Sequence, residues 1–159
     1  MSRAVLSMGS NLGDRRQHLT DAVAALASDV IRVSSVYRTP PWGPVPQDDF
    51  YNIAVLAERT DPDPRSWLEV ARQLESAAGR VRGVRWGPRT LDVDVIVVEG
   101  VVSADPELTL PHPRAHERAF VLVPWREIEP SAALPGYGPI AGLLVDLDVG
   151  DLAVVGHVG

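Results

Sequence analysis

The stretch RVRGVRWGPRTLDVDVIVVEG, residues 80 to 100, joins an arginine-rich loop to a run of alternating residues. The alternation has the period of two that is typical of a β-strand. Because a strand sends alternate side chains to opposite faces, Asp92 and Asp94 share one face, with β-carbons roughly 6–7 Å apart. Ile96 and Val98 are expected to continue that face. The sequence therefore predicts a sheet strand that carries two neighbouring carboxylates.

Two carboxylates side by side are unusual on a half-buried strand, because each loses hydration and repels the other. A solvated outer face would explain them, and so would pairing with arginine or with a divalent cation. Carboxylate oxygens without a cysteine or histidine cluster suit Mg²⁺, which takes its other ligands from water and from substrate phosphates. We therefore identify Asp92 and Asp94 as candidate magnesium ligands.

The loop before this strand contrasts with the rest of the chain. Residues 79 to 91 contain four arginines and no acid, in a chain whose net charge is −6. The contrast predicts a local anion site. Arg82 and Arg89 offer bidentate donors to phosphate oxygens, and cations beside a metal site are what phosphoryl transfer uses. The alternative is a flexible basic surface loop.

The composition excludes several classes of protein. All 15 basic residues are arginine, so a Walker-A loop, a protein-kinase site and a Schiff-base mechanism, which need lysine, are excluded. Without cysteine there are no disulfides, thiolate zinc sites or thiol nucleophiles. The net charge disfavours a nucleic-acid partner. We expect neither a signal peptide nor a membrane partner, and hence a cytoplasmic protein.

The order of the elements predicts the fold class. Strand–helix–strand–strand–helix–strand is the ferredoxin-like α+β plan, a sandwich in which helices pack on an antiparallel sheet. We expect the helices on one sheet face and active-site loops over the other, within a single domain spanning 1–159. The tail from Pro135 has no pattern that predicts an element. The predicted strands span 3–8, 30–37, 50–58 and 90–98, and the predicted helices span 14–28, 61–79 and 114–128.

Aromatic and amide side chains indicate a pocket for a flat ring. Trp42, Phe50 and Trp86 are able to sandwich a heterocycle. Asn52, near the start of an otherwise apolar strand, is able to read the hydrogen-bonding edge of such a ring, and as a buried amide it needs partners. The alternative is that these side chains belong to the core.

The segment LPHPRAHERAF carries three further candidates. His112 lies between two prolines and is able to donate to a phosphate, although a loop histidine is more often a structural hydrogen-bonding group. Arg118 and Phe120 are spaced so that one would contact a phosphate and the other a ring. Helix surface and core are the alternatives for this pair.

The residues alone leave two other functions open. A metal-dependent phosphodiesterase also uses carboxylates and arginines, but it would leave the aromatic pocket unexplained. A non-catalytic ligand-sensing module on the same ferredoxin-like plan would bind without turnover and without Mg²⁺.

Five segments together resemble a known enzyme family. They are GSNLGD, SSVYRTPPWGP, DFYNIAV, GRVRGVRWGPRTLDVDVIV and LPHPRAHERAFVLVPWREIEP. From about residue 5 to 130 the chain is similar to the 6-hydroxymethyl-7,8-dihydropterin pyrophosphokinase family of folate biosynthesis. The resemblance implies a ferredoxin-like fold and transfer of pyrophosphate from MgATP to the hydroxymethyl oxygen of the pterin, with AMP as the other product.

The resemblance also implies roles for individual residues. Asp92 and Asp94 would hold two Mg²⁺ ions, and Arg82 and Arg89 would stabilise the transferring group. Phe50 stands where a tyrosine can occur, which leaves ring stacking without a hydroxyl contact. The implied ATP-binding set is Glu75, Arg82, Trp86, Arg89, His112 and Arg118, and the implied pterin-binding set is Thr39, Pro40, Trp42, Phe50, Asn52, Trp86 and Phe120.

The same resemblance sets the expected partners. They are the small-molecule substrates ATP and 6-hydroxymethyl-7,8-dihydropterin, and we expect a monomer. Loops at 9–14, 42–49 and 79–90 would close over the substrates, as lids commonly do to exclude water.

Overall fold

The structure is a computed structural model that describes residues 1–41, 43–79 and 88–158. Trp42, residues 80–87 and Gly159 lie outside the described residues. The elements in chain order are β1 (Ser2–Ser10), α1 (Arg15–Leu26), β2 (Val30–Val33), β3 (Val36–Thr39), β4 (Phe50–Arg59), α2 (Arg65–Ala77), β5 (Asp92–Val98), β6 (Ser103–Asp105), β7 (Leu108–Leu110), α3 (Ala119–Ile128), β8 (Ala133–Leu134), β9 (Gly138–Pro139), α4 (Ile140–Leu144) and β10 (Ala153–Gly156).

The main sheet confirms the ferredoxin-like prediction. It has six antiparallel strands in the order β10-β3-β4-β1-β5, with β2 also paired to β4. β2 and β3 follow one another along the same edge of β4, so they correspond to the one strand predicted there. With α1 after β1 and α2 after β4, the chain follows the β-α-β-β-α-β plan.

Helices cover both faces of this sheet, which corrects the expectation of one open face. α1 and α2 pack on the first face, where the buried Trp67 donates its indole N–H to Ser2 Oγ at 2.8 Å. α3 and α4 pack on the second face around Val5, Leu56 and Ile96. The sequence contained the signal, because β4 reads IAVLA without alternation, as strands buried on both faces do. The site described below occupies the rest of the second face.

An irregularity in β5 changes which side chains share a face. Two successive residues of β1 lie opposite Val95 and Val97, so Ile96 is an extra residue. A bulge of this kind shifts the alternation by one position. Ile96 therefore continues the face of the two aspartates, as predicted, whereas Val98 packs in the core beneath α1 and α2. The prediction for Val98 was wrong.

The break between β2 and β3 is stabilised by a serine. Ser34 Oγ accepts a hydrogen bond from Ala54 N at 2.9 Å, in place of a backbone carbonyl. Ser34 N donates to Ala54 O at 2.9 Å. The buried backbone of β4 thus stays paired where its neighbouring strand is interrupted.

The C-terminal third departs most from the prediction. The helix predicted over 114–128 begins at Ala119, because residues 115–117 form a 3₁₀ turn. The tail, for which no element was predicted, forms the β8–β9 hairpin, α4 and the outer strand β10. Among the described residues, no helix is long and apolar enough to cross a membrane.

Candidate active site

Asp92 and Asp94 lie together on the second face of β5, as their spacing predicts. Their side chains are 25% and 29% exposed, above the buried Val93 and Val95. Burial raises the pKa of Asp94 to about 7, and the negative charge of Asp92 adds to the rise. A divalent cation would remove this repulsion, so the donor set fits Mg²⁺. The described residues include no group of three or more acidic, histidine or cysteine side chains for a metal, so water or substrate must supply other ligands.

Three predicted side chains surround this pair. Arg89 Nη1 lies 3.2 Å from Asp92 Oδ2, and Arg118 Nη1 lies 3.7 Å from Asp94 Oδ2. His112 Nε2 lies 4.0 Å from Asp94 Oδ1. The structure therefore brings together residues from β5, from the loop before it and from the segment before α3. Donors on both sides of a carboxylate pair can also bind phosphate oxygens.

The bulge in β5 positions His112. The backbone N–H of His112 donates to the carbonyl of the extra residue, Ile96, at 2.8 Å. Burial, together with the positive charge of Arg118, lowers the pKa of His112 to about 4. Its Nδ1 accepts from Arg114 N at 3.2 Å, which leaves the ring proton on Nε2. His112 is thus a neutral donor that points toward Asp94.

Glu75 lies behind the carboxylate pair, on α2. Its Oε2 accepts a hydrogen bond from Val93 N at 2.9 Å, at the outer edge of β5, and the residue is 8% exposed. A carboxylate at this position satisfies a backbone N–H of an edge strand. In the structure Glu75 therefore supports β5, and its contact with ATP stays a prediction.

Several residues predicted to form the ring pocket lie on the same face of the sheet, on β3 and β4 and at the start of α3. Asn52 Nδ2 donates to Thr39 Oγ1 at 2.7 Å, and Asn52 is 4% exposed. This is the partner that a buried amide requires. Phe50 pairs with Thr39 across the strands, and Thr39, Pro40 and Phe120 line one cavity of about 350 Å³. The predictions for Trp42, Arg82 and Trp86 lie outside the described residues.

Gly9 separates the two halves of the site, and the sequence analysis missed it. Gly9 on β1 pairs with Asn52 on one side and with Asp92 on the other. A β-carbon at Gly9 would lie 2.5 Å from Asn52 Oδ1 and 3.4 Å from Phe50 Cδ1. The available signal was a glycine at the end of an apolar strand, which marks a close approach. The absence of a side chain at Gly9 therefore leaves room for the amide of Asn52, between β4 and the carboxylates of β5.

Asn11 joins the loops around the site, and the sequence analysis missed it as well. Its Nδ2 donates to Gln47 Oε1 at 2.7 Å and to Asp48 O at 3.0 Å. Its Oδ1 accepts from Arg89 N at 2.8 Å, and its N–H donates to Arg89 O at 3.0 Å. Asn11 is only 2% exposed, and these hydrogen bonds fix the loop that contains Gln47 and Asp48 relative to Arg89. Next to it, Arg15 donates to Asp49 O at 2.8 Å.

Replacing Asn11 by alanine should uncouple these loops. We expect kcat/KM to fall on the order of tenfold, because catalytic side chains tolerate little displacement. Asn11→Asp separates the two sets of bonds, because it keeps an acceptor for Arg89 N and loses the donors to Gln47 and Asp48. Steady-state kinetics together with the melting temperature test this. Unchanged kinetics in Asn11→Ala would show that the three loops are positioned independently.

Comparison with known proteins shows the family of the chain. Residues 5–130 match the family model described as 7,8-dihydro-6-hydroxymethylpterin-pyrophosphokinase (HPPK). Two similar proteins are both named 2-amino-4-hydroxy-6-hydroxymethyldihydropteridine pyrophosphokinase. The Mycobacterium tuberculosis protein is 46% identical over 164 residues, which cover 95% of this chain and 87% of that protein. The Methylorubrum extorquens protein is 48% identical over 140 residues, 86% and 88% of the two chains.

Solved structures agree at the level of the fold. A Plasmodium falciparum HPPK-DHPS crystal structure superposes with a TM-score of 0.68 at 15% identity, over 89% of this chain. An HPPK-DHPS structure in complex with substrates gives 0.71 at 12% identity, again over 89%. This chain spans only 44% and 43% of those two chains. The family model covers the strands and loops that carry the carboxylates, Asn52 and Gly9, so the chain belongs to the 7,8-dihydro-6-hydroxymethylpterin-pyrophosphokinase (HPPK) family.

Proposed function

We propose that this chain transfers the pyrophosphoryl group of ATP to the hydroxymethyl oxygen of 6-hydroxymethyl-7,8-dihydropterin, a step of folate biosynthesis. One observation carries the proposal beyond family membership. Asn52, Gly9 and Asp92 lie in one row across three neighbouring strands. Two strand spacings separate the amide from the carboxylate by about 10 Å. A pterin whose ring edge binds Asn52 would therefore direct its hydroxymethyl arm across β1 toward the carboxylates.

The polar residues act by positioning and charge. Asp92 and Asp94 would hold Mg²⁺, which neutralises the phosphates of ATP when bound. Arg89 and Arg118, close to these carboxylates, stabilise the negative charge that develops on the transferring group. His112 is neutral at pH 7, so its Nε2 would donate a hydrogen bond to a phosphate oxygen without adding charge. Among the side chains described around the pair, none is a strong general base, and a loose phosphoryl transition state needs little early deprotonation.

The pterin pocket selects a flat, hydrogen-bonding ring. Asn52 presents its Oδ1 to the ring edge while its Nδ2 is held by Thr39. Phe50 and Phe120 supply apolar faces for stacking, and Pro40 closes the side next to Thr39. Trp42 and Trp86 complete the proposed pocket, and Arg82 joins Arg89 on the transferring group, in the roles that the family resemblance implies.

Phosphorus NMR of the purified chain with MgATP and 6-hydroxymethyl-7,8-dihydropterin tests the reaction. We expect AMP and a pterin diphosphate. ADP would mean transfer of a single phosphoryl group and would overturn the proposal. Folded protein without turnover would instead favour a ligand-sensing module.

Arg89→Ala is expected to lower kcat on the order of 10²-fold, because a donor to the transition state is lost. The pterin dissociation constant should change little, since Arg89 contacts Asp92 and not the ring pocket. Arg72→Ala is the matched control. Arg72 lies on α2 in an exposed ion pair with Glu107, and its replacement should leave the behaviour of the parent chain unchanged. Rapid-quench measurement of the chemical step checks this. A change confined to pterin affinity would contradict the role.

Several finer features belong to the same proposal. We infer two Mg²⁺ ions, because the transferring phosphate and its neighbours offer more oxygens than one ion takes. We infer a monomer, as the family resemblance led us to expect, and a cytoplasmic location where ATP is available. Both cores share the main sheet, which supports one domain over residues 1–159.

A further inference from the structure

The C-terminal segment lies beyond the family match, which ends at residue 130, yet it returns to the main sheet. β10 pairs antiparallel with β3, so that Ala153 lies opposite Arg38 and Val154 lies opposite Tyr37. β3 has only four residues. Pairing on both sides therefore converts a short edge strand into an inner one, which is held more firmly.

β3 leads directly into the ring pocket. Its last residue, Thr39, is buried and accepts the hydrogen bond that orients Asn52. Ala153 is opposite the residue before Thr39. A displacement of β10 would thus be transmitted to the side chain of Asn52 through two contacts. The first is the backbone pairing of β10 with β3, and the second is the hydrogen bond between Thr39 and Asn52.

An arginine of α1 contacts β10 and holds it in place. Arg16 Nη2 donates to Val155 O at 2.5 Å. Gly156 has φ +139°, in the region that favours glycine, and a β-carbon there would lie 2.7 Å and 2.8 Å from the two terminal nitrogens of Arg16. The guanidinium therefore rests where a side chain at residue 156 would be. Glycine is required for this contact both by its conformation and by its lack of a side chain.

The segment before β10 lines a cavity together with three of the proposed pterin residues. Leu147 and Leu152 line the cavity of about 350 Å³ together with Thr39, Pro40 and Phe120. Leu147 also packs against the core beneath α3 and α4, as Phe120 does. The C-terminal segment is thus next to proposed pterin residues at two places, in the wall of this cavity and along the backbone of β3.

We propose that residues 147–156 are a positioning element for the pterin pocket, fastened by Arg16 over Gly156. This rests on the proposed function, because it takes Thr39, Asn52 and Phe120 as pterin residues. The sheet order gives it a specific consequence. β10 is at one end of the sheet and β5, which carries the carboxylates, is at the other. Loosening the tail should weaken pterin binding and leave the ATP side intact.

Two single substitutions test the contact between Arg16 and Gly156, one at each residue. Gly156→Ala places a methyl group against the guanidinium, and Arg16→Ala removes it. Gly136→Ala is matched to the first, since Gly136 also has a positive φ of +82° but nothing within 4 Å of the added atom. Arg72→Ala is matched to the second as an exposed arginine. Titration calorimetry measures pterin binding in the presence of a non-hydrolysable Mg²⁺–ATP analogue, and separately the binding of that analogue.

We expect both test variants to bind the pterin on the order of tenfold more weakly and to bind the analogue as the parent chain does. The double variant should be no weaker than either single one, because both break the same contact. Equal weakening of both ligands, or a lower melting temperature with pterin affinity unchanged, would overturn the inference. A parent chain that binds no pterin and releases no AMP would instead reject the proposed function, and the inference with it.

Discussion

Replacing Asp94 by asparagine is expected to lower Mg²⁺-dependent turnover by on the order of 10³-fold or more, since a metal ligand contributes several kcal/mol to catalysis. The variant keeps the shape of the side chain and removes its charge. Asp94 is also the carboxyl nearest to Arg118 and His112. The loss should appear in kcat, and excess Mg²⁺ should restore little of it, because the ligand itself is missing.

The same substitution should stabilise the metal-free protein at neutral and higher pH. The pKa of Asp94 is raised from 3.8 to about 7, so between these values the folded state binds more protons than the unfolded state. The free energy of unfolding of the parent chain therefore falls as pH rises from about 4 to 7, by at most about 1.4 kcal/mol per pH unit. Solvent at the 29% exposed side chain screens part of this effect. Asparagine does not ionise and avoids the loss.

Urea unfolding at pH 3.5 and pH 8 separates the two effects. Asp94→Asn should match the parent chain at pH 3.5 and exceed it at pH 8, both without metal. Asp146→Asn, at an exposed position, is the matched control and should change neither stability nor turnover. Full activity in Asp94→Asn would remove the metal assignment. Lost activity with lower stability at pH 8 would show that the carboxylate has a structural role.

The features that sequence patterns predicted are those set by local periodicity and by residue chemistry. Asp92 and Asp94 share a face because a strand repeats every two residues, and the structure places Asp92 beside Arg89 and Asp94 beside Arg118. Element order alone was enough for the ferredoxin-like sheet. The amide of Asn52 was correctly expected to need a partner, because burial of an unpaired amide is costly, although the sequence did not indicate that Thr39 supplies it.

The features that the sequence analysis missed depend on pairing between distant segments. Val98 changes face because β1 and β5 pair with a bulge, which no pattern within β5 reveals. Asn11 is important through partners 36 to 78 residues away. β10 contains only AVVG and forms because β3 offers an open edge. In each case the partner, and not the local sequence, determines the structure.

Gly9→Ala is expected to lower kcat/KM for the pterin on the order of 10³-fold, because it combines a displaced binding group with an unsatisfied amide. The backbone of Gly9 does not have a positive φ, so alanine fits its conformation and the effect is steric. The added methyl group would be 2.5 Å from Asn52 Oδ1. Asn52 must then rotate, which breaks its bond to Thr39 and turns its oxygen away from the ring.

Comparison with two further variants identifies the cause. Gly142→Ala, where nothing lies within 4 Å of the added atom, is the matched control and should retain full activity. In an Asn52→Ala background, Gly9→Ala should lower kcat/KM little further, because the Oδ1 atom that the added methyl group would clash with is absent. ATP-analogue affinity should be the same in all of these variants, since the carboxylates are one strand away. Additive losses in the double variant would mean that the methyl group blocks the hydroxymethyl arm directly, and Gly9 would then act on the substrate and not through Asn52.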